Sequence, residues 1–406
     1  MAKPSVFSQI NATAIASSAL KDSPRHWNNG LLRLDGRLWM SYRFHLMTAS
    51  GRCKTAICEI DEKTLQPRGP SQMLDLPETN GDEHMEDSRL FIFKGQPHVS
   101  YTEMTGYRPG VDFRCVMKYA RLSLRTSREK SIWKVHETYL PRYGRNDWKS
   151  KEKNWIFFED RDRLHAIYQT DPDHRVLEID GDRVVREHVT GRPVWEWGTI
   201  RGGTPPVRLR DGTMLANFHS SLQTEVPPSY VRYFAGAYRL SGKPPFDVIG
   251  ISPRPILSAS EEDGHKVDPR YVDGWKPYVV FPCGLVDAGE NYLVSLGIND
   301  WQAAIARLPA DSIDLVAADG SEIRPRYFRR SNGSIPFSMF NSNRAPKTIM
   351  WSVPSPGPGS SAGLGYVKII SQREAQEISE QGGVTEIAEA EYERAMMVRA
   401  PSSMFG

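Results

Sequence analysis

Leu31-Leu-Arg-Leu-Asp-Gly-Arg-Leu-Trp-Met-Ser-Tyr-Arg43 reads as two apolar strands folded back on each other at Asp35-Gly36. A two-residue type I′ hairpin needs positive φ at both central positions, which Asp-Gly tolerates. The pattern returns as Arg89-Leu-Phe-Ile-Phe-Lys-Gly-Gln-Pro-His-Val-Ser-Tyr101 and Trp155-Ile-Phe-Phe-Glu-Asp-Arg-Asp-Arg-Leu-His-Ala-Ile-Tyr168. It returns again as Val207-Arg-Leu-Arg-Asp-Gly-Thr-Met-Leu-Ala-Asn-Phe-His219, where Asp211-Gly212 repeats the hairpin signal, and as Cys283-Gly-Leu-Val-Asp-Ala-Gly-Glu-Asn-Tyr-Leu-Val-Ser295. Successive copies lie roughly 50 to 75 residues apart, the regime of blade-like repeats. A ring of such units gathers equivalent strand ends around one axis, so residues distant in sequence can share one pocket.

Composition sets the outer limits. The chain has 406 residues, 39% hydrophobic and 25% charged, the balance of a globular protein. Its 52 basic and 49 acidic residues are interspersed and leave a net charge of +3. No Lys/Arg block marks a nucleic-acid footprint. Cys53, Cys58, Cys115 and Cys283 form no Cys-x-x-Cys pair and no zinc-finger spacing, and no His-x-x-x-His occurs, so buried reduced thiols and no metal are expected. The N-terminus lacks a signal-peptide core and no segment has the apolar length of a membrane span, which predicts a cytoplasmic protein without membrane contact.

Residues 1–30 form a lead-in ending in Arg25-His-Trp-Asn-Asn-Gly30, and strand-and-turn texture then dominates. Pro205-Pro206, Pro227-Pro228 and Pro244-Pro245 exclude helices there. From about 340 the texture changes. Pro354-Ser-Pro-Gly-Pro-Gly-Ser-Ser-Ala-Gly363 has linker composition, and Ser371–Glu380 and Thr385–Val398 read as helices. The expected organisation is therefore a lead-in (1–30), a β domain (31–340) and a linker with a helical tail (341–406). The tail is expected to pack on the ring or on a partner, as in a homo-oligomer; a partly disordered end is the plainer alternative.

Polar residues recur at the same phase of several copies: Asn28, Asn29, Arg43, His45, Glu86, Asp87, Arg89, Gln169, His219 and Asn299-Asp300. Singly, each has a bland explanation as a turn cap, a solvated charge or a satisfied core group. Met85-Glu-Asp-Ser-Arg-Leu90 is the sharpest cluster. Strand alternation predicts that one carboxylate enters a pocket while the other braces a neighbouring blade, with Arg89 holding the brace bidentately. The bland reading is an inter-blade ion pair. Arg201-Gly-Gly-Thr-Pro-Pro206 could bring backbone close to a ligand, or simply lead into the next strand.

Taken in order, Glu86-Asp-Ser-Arg-Leu90, Lys153-Asn-Trp155, Arg201-Gly-Gly-Thr-Pro-Pro206, Phe218-His-Ser220, Val280-Phe-Pro-Cys-Gly284 and Gly297-Ile-Asn-Asp300 resemble glycoside hydrolase family 130, the β-mannoside phosphorylases and related β-mannosidases. The resemblance spans about residues 25 to 305 and leaves the tail uncovered. It implies an all-β, five-bladed β-propeller, matching the five hairpins, here with a short C-terminal helical extension.

The resemblance implies Asp87 as catalytic acid and Asn29, Arg43, Glu86 and Asp300 as groups holding the sugar. His219 and Lys153 would lie on the phosphate side, and Arg201 would join them only if it converges there with backbone N–H groups. The implied reaction is inverting cleavage of a β-mannoside-like bond, by phosphorolysis or hydrolysis. No cofactor is implied beyond inorganic phosphate as co-substrate. Phosphate needs no protein base, unlike water in ordinary inverting hydrolysis.

Two departures stand out. Ser88 replaces the Pro usual in the Glu-Asp-Pro-Arg motif, and Gln169 stands where a phosphate-binding Arg is expected. Lys153, Arg145 and Arg201 could compensate; otherwise a carboxylate such as Glu159 or Glu196 would have to activate water. A non-catalytic glycan-binding or structural propeller and a glycosyl-transferring relative are the alternatives.

Overall fold

The computed structural model describes residues 8–9, 26–46, 52–78, 84–106, 114–127, 130–143, 151–195, 197–223, 231–258, 279–300, 302–319, 325–330, 337–340, 347–352, 366–371 and 384–387. The chain divides into two compact units, residues 1–222 with 231–319, and residues 223–230 with 320–406. The division at 319 precedes the change of texture read near 340.

The first unit is built of antiparallel ladders in chain order. A short strand, β1 (Ser8–Gln9), comes first. The first ladder comprises β2 (His26–Leu34), β3 (Arg37–His45), β4 (Cys53–Ile60) and β5 (Pro67–Met73). The second comprises β6 (His84–Phe93), β7 (Gln96–Thr105), β8 (Arg114–Thr126) and β9 (Ser131–Tyr139). The third comprises β10 (Ile156–Asp160), β11 (Arg163–Gln169), β12 (His174–Asp180) and β13 (Arg183–Thr190).

The fourth ladder takes β14 (Thr199–Arg201), β15 (Val207–Arg208), β16 (Met214–Gln223), β17 (Val231–Leu240), β18 (Val248–Ile251) and β19 (Leu257–Ser258). The fifth takes β20 (Val280–Asp287), β21 (Asn291–Ile298) and β22 (Gln302–Pro309), with β1 antiparallel to β22; β23 (Val316–Ala317) returns to the edge of β18. The fifth and first ladders meet through one parallel pair, His26 with Gln302.

All five expected hairpins form antiparallel pairs. Asp35-Gly36, Lys94-Gly95 and Arg161-Asp162 have positive φ at both central residues, as a type I′ turn demands. The fourth copy differs: only Gly212 has positive φ there. Its loop is longer and closes through Leu209 N–H to Thr213 C=O, with the Asp211 carboxylate accepting from the Thr213 backbone N–H.

Apolar residues on each sheet pack against the next sheet. Leu32 and Trp39 meet Leu90 and Trp133; Phe91 and Tyr119 meet Trp155 and Phe157. Ile156 and Ile167 meet Ala216 and Phe218; Leu215 and Ala235 meet Val280 and Leu296. Leu31 and Met40 then meet Leu293 and Ile305, which joins the fifth sheet to the first. Among the described residues, these ladders and apolar seams follow one another in chain order, as in a β-propeller. Each large side chain buried in a seam is worth about 1.5–3 kcal/mol.

The second unit departs from the expected helical extension where it is described. Its described residues form one antiparallel sheet of β24 (Pro325–Arg330), β25 (Phe337–Phe340), β26 (Lys347–Ser352), β27 (Tyr366–Ser371) and β28 (Val384–Ile387), in the order β27-β26-β25-β24-β28. The helix expected from Thr385 meets a strand: three of the four residues in Val384-Thr-Glu-Ile387 are β-branched, and they pair along β24. Residues 372–380 and 388–398, which carry the rest of the two expected helices, lie outside the described residues, as does the linker 354–363. Among the described residues no helix is long and apolar enough to cross a membrane. Cys53, Cys58, Cys115 and Cys283 are buried free thiols.

Candidate functional site

Opposite the hairpin turns, at the starts of β2 and β6, both ladders slip by one residue. In β2 the register jumps between Trp27 and Gly30 opposite Arg43 and Ser41. In β6 it jumps between Glu86 and Arg89 opposite Thr102 and Ser100. Each slip is a β-bulge, which bends a strand and re-aims its side chains. Asn28 and Asp87 take the left-handed conformation within these bulges, with φ of 51° and 55°. Asn and Asp accept that conformation more readily than other non-glycine residues.

The bulges bring Asn28 and Asp87 face to face. Asn28 Nδ2 donates to Asp87 Oδ1 at 2.7 Å. Arg43 Nη1 donates to the same oxygen at 3.2 Å, and Arg43 Nη2 lies 3.0 Å from Glu86 Oε1. Asp87 Oδ2 has no hydrogen bond to a described residue. Two glycines permit the approach. A Cβ on Gly30 would lie 2.9 Å from the Ser88 carbonyl oxygen, and one on Gly297 would lie 1.9 Å from Asn28 Oδ1.

Glu86 is the anchor of the cluster. His84 Nε2 lies 2.9 Å from its Oε1, and Lys153 Nζ donates to its Oε2 at 2.9 Å. Burial opposes its ionisation, but Arg43, Lys153 and His84 outweigh burial and hold the Glu86 carboxyl well below the usual range. Lys153 and Arg43 are shifted upward: burial works against both charges, and Glu86 overcomes it.

For His84 burial likewise disfavours the charge, while Cys53 and Glu86 raise its pKa to about 9. Its Nδ1 also accepts from the Cys53 backbone N–H at 3.2 Å, a bond a doubly protonated ring must give up. At that length the bond is weak, whereas the contact to Glu86 is charge-assisted, so the charged ring is favoured. The Arg43 guanidinium also stacks over Trp27, 4.4 Å from the ring centroid.

Several expected residues take other places. Asn29 is fully buried and donates to the Ala304 carbonyl at 3.0 Å, tying the first ladder to the fifth; its neighbour Asn28 reaches Asp87 instead. Arg89 does not brace a carboxylate. Its Nε donates to the Gly203 carbonyl at 2.6 Å, Nη1 to the Asp87 carbonyl at 2.9 Å and Nη2 to Asn154 Oδ1 at 3.3 Å.

His219 Nδ1 lies 2.6 Å from the Gly202 carbonyl oxygen. A carbonyl only accepts, so Nδ1 carries the hydrogen. The His219 ring stacks on Tyr233 and packs against Phe281. Arg89 and His219 therefore hold adjacent carbonyls of the Arg201-Gly-Gly-Thr loop. The two glycines serve strand packing, since a Cβ on Gly202 or Gly203 would strike the Asn154 or Asn217 carbonyl oxygen. Arg201 is exposed and pairs through its backbone with His219.

Asp300, in the turn two residues past the end of β21, has φ of 50° and acts electrostatically on Arg43. Gln169 ends β11 at an irregular register step. Glu159 sits among the hairpin turns, where its carboxylate accepts from the Lys94 backbone N–H at 2.5 Å, so it is not placed with Glu86 and Asp87. Glu196 and Arg145 lie outside the described residues.

His84 and Trp27 are the contributors that inspection of motifs passed over. His84 had a signal, because alternation places residues 84 and 86 on one face. Trp27 had none beyond its place in the polar lead-in.

No family model and no curated protein matches the chain. Solved structures do resemble it. The β-1,2-mannobiose phosphorylase from Listeria innocua, solved with β-1,2-mannobiose, is 13% identical; the match covers 72% of this chain and 91% of that one, with a TM-score of 0.49. A mannose phosphorylase from Leishmania mexicana, solved with phosphate, is 10% identical over 77% of this chain and 92% of that one, with a TM-score of 0.48. A glycosyl hydrolase from Bacteroides ovatus is 12% identical over 78% and 97%, with a TM-score of 0.44. These are likenesses of chain path at low identity.

Proposed function

We propose that the chain is a carbohydrate-active enzyme that cleaves β-mannoside-like glycosidic bonds with inversion, Asp87 protonating the leaving oxygen. The observation that carries this reading is the bulge at Asp87. It fixes Oδ1 between Asn28 and Arg43 and leaves Oδ2 as the atom that can carry and deliver a proton. Glu86, saturated by His84, Arg43 and Lys153, positions Arg43 rather than moving protons. The ordered motifs resembling family 130 support the same assignment and supply the sugar class.

Phosphate is the nucleophile in this reading. With Asp87 carrying its proton, Arg43, Lys153 and protonated His84 exceed Glu86 and Asp300 by one positive charge, which favours a dianion beside the sugar. As phosphate oxygen bonds to the anomeric carbon from one face, the glycosidic bond breaks on the other. Asp87 gives its proton to the departing oxygen, directly or through a sugar hydroxyl. Hydrolysis is the second reading, favoured by Gln169 at the end of β11 where a second guanidinium would serve phosphate better.

The test is product analysis with β-linked mannobioses, with and without inorganic phosphate. Mannose 1-phosphate formed only with phosphate supports phosphorolysis. Mannose formed at the same rate either way supports hydrolysis. Saturable binding of the disaccharide with neither product would overturn the enzymatic reading.

A further inference from the structure

Away from the Glu86–Asp87 cluster, three strands of the third sheet place His165 (β11), Glu178 (β12) and His188 (β13) side by side. His165 and Glu178 are register partners, and Val176, two residues before Glu178 on β12, pairs with His188. One ligand atom from each lies within 4.8 Å of the others. We propose that these three side chains form a binding site for a late first-row divalent cation of the zinc type, pinning β11, β12 and β13 to one another.

The unspent nitrogens carry the argument. His165 is 1% exposed. Its Nδ1 lies 3.2 Å from the Arg163 carbonyl and must donate to it, which leaves Nε2 with a lone pair. That Nε2 is buried without a hydrogen bond, and so is His188 Nε2. An imidazole whose other nitrogen donates to a backbone carbonyl has the tautomer and orientation of a metal ligand. Phe158 stacks on His165 at 5.4 Å, and the Phe246 ring meets His165 and His188 edge-on, so both imidazoles pack against aromatic rings.

Burial lowers the pKa of both histidines, consistent with neutral rings available for coordination. Arg163 Nη1 donates to Glu178 Oε1 at 2.9 Å, whereas Arg186 stands 3.9 Å from Oε2. Oε2 can therefore ligate while Oε1 keeps its arginine.

Two imidazoles and one carboxylate suit zinc, nickel or copper and not magnesium or calcium, which prefer all-oxygen shells. Tetrahedral ligands at about 2.0–2.1 Å from zinc stand about 3.4 Å apart. Rotamer shifts of about 1–1.5 Å close the present spacing, and a fourth position remains for water.

The test uses the full chain, stripped with chelator and titrated with ZnCl₂ by calorimetry. We expect one saturable site per chain and a thermal transition raised by Zn²⁺ but not by Mg²⁺. His188→Ala and Glu178→Gln, which spare the deeply packed His165, should each weaken Zn²⁺ binding at least tenfold and abolish the thermal shift. Zinc-edge anomalous diffraction should place one peak between the three side chains. Absence of saturable binding, wild-type affinity in both variants, or a peak elsewhere would each overturn the proposal.

Discussion

The left-handed backbone conformation appears at both ends of the strands and does different work at each. At the turn end, Asp35-Gly36 and Lys94-Gly95 adopt it to reverse the chain, and a Cβ added at Gly36 or Gly95 would meet nothing within 4 Å. At the site end, Asn28 and Asp87 adopt it inside bulges, where both are buried and bonded to each other. The first pair of positions closes hairpins; the second aims functional groups. A non-glycine residue held in a sparsely populated region costs on the order of 1–3 kcal/mol, which the surrounding contacts must offset. The site end should therefore be sensitive in activity, and the turn end only in stability.

The largest effect is expected at the acid. Asp87→Asn should keep the fold and lower turnover by about 10²–10⁴-fold, the span of general acid catalysis. Arg43→Met comes next: it removes the guanidinium shared by Glu86 and Asp87. Breaking a buried pair from one side costs about 3–5 kcal/mol, so chemical denaturation should show a loss of that order together with impaired turnover. Gly297→Ala would drive a methyl group into Asn28 Oδ1. A displaced Asn28 would loosen Asp87, and a rate loss of about tenfold or more is expected, read from kcat with little change in KM.

The pH dependence of stability tests His84. Its pKa is about 9 in the folded chain, above the ordinary value of 6.5. Its contribution is thus complete below 6.5 and should disappear as pH rises through 9. Tm should fall over that window, and His84→Gln should remove this component. A flat profile would mean that the bond from the Cys53 backbone N–H keeps the ring neutral. The smallest effect belongs to the turn end. Gly36→Ala, at φ of +70° in open space, should cost about 1–2 kcal/mol and leave turnover unchanged.

The contrast also explains what could be read from residues alone. Hairpin turns carry local signals, and alternating apolar residues mark the seams, so the order of ladders was legible. The bulges carry no such signal. A one-residue slip reverses which side chains share a face. For that reason Asn28, and not Asn29, faces Asp87, and Arg43 rather than Arg89 meets the two carboxylates. Glu86 and Asp87 were legible as a charged cluster, but the groups each carboxylate meets depend on a register that only the paired strands reveal.

In the second unit, alanine and glutamate content suggested helix, and the β-branched run Val384–Ile387 paired with β24 instead. His165, Glu178 and His188 escaped motif reading because each comes from a different strand.

The most direct test of the central claim is a leaving-group series on the Asp87→Asn variant. If Asp87 delivers the proton, the variant should fail on mannosides with strongly basic leaving groups and recover most of its rate on activated aryl mannosides, which depart without protonation. An equal loss across the series, or full activity on the disaccharide, would contradict the assignment of Asp87 as the acid.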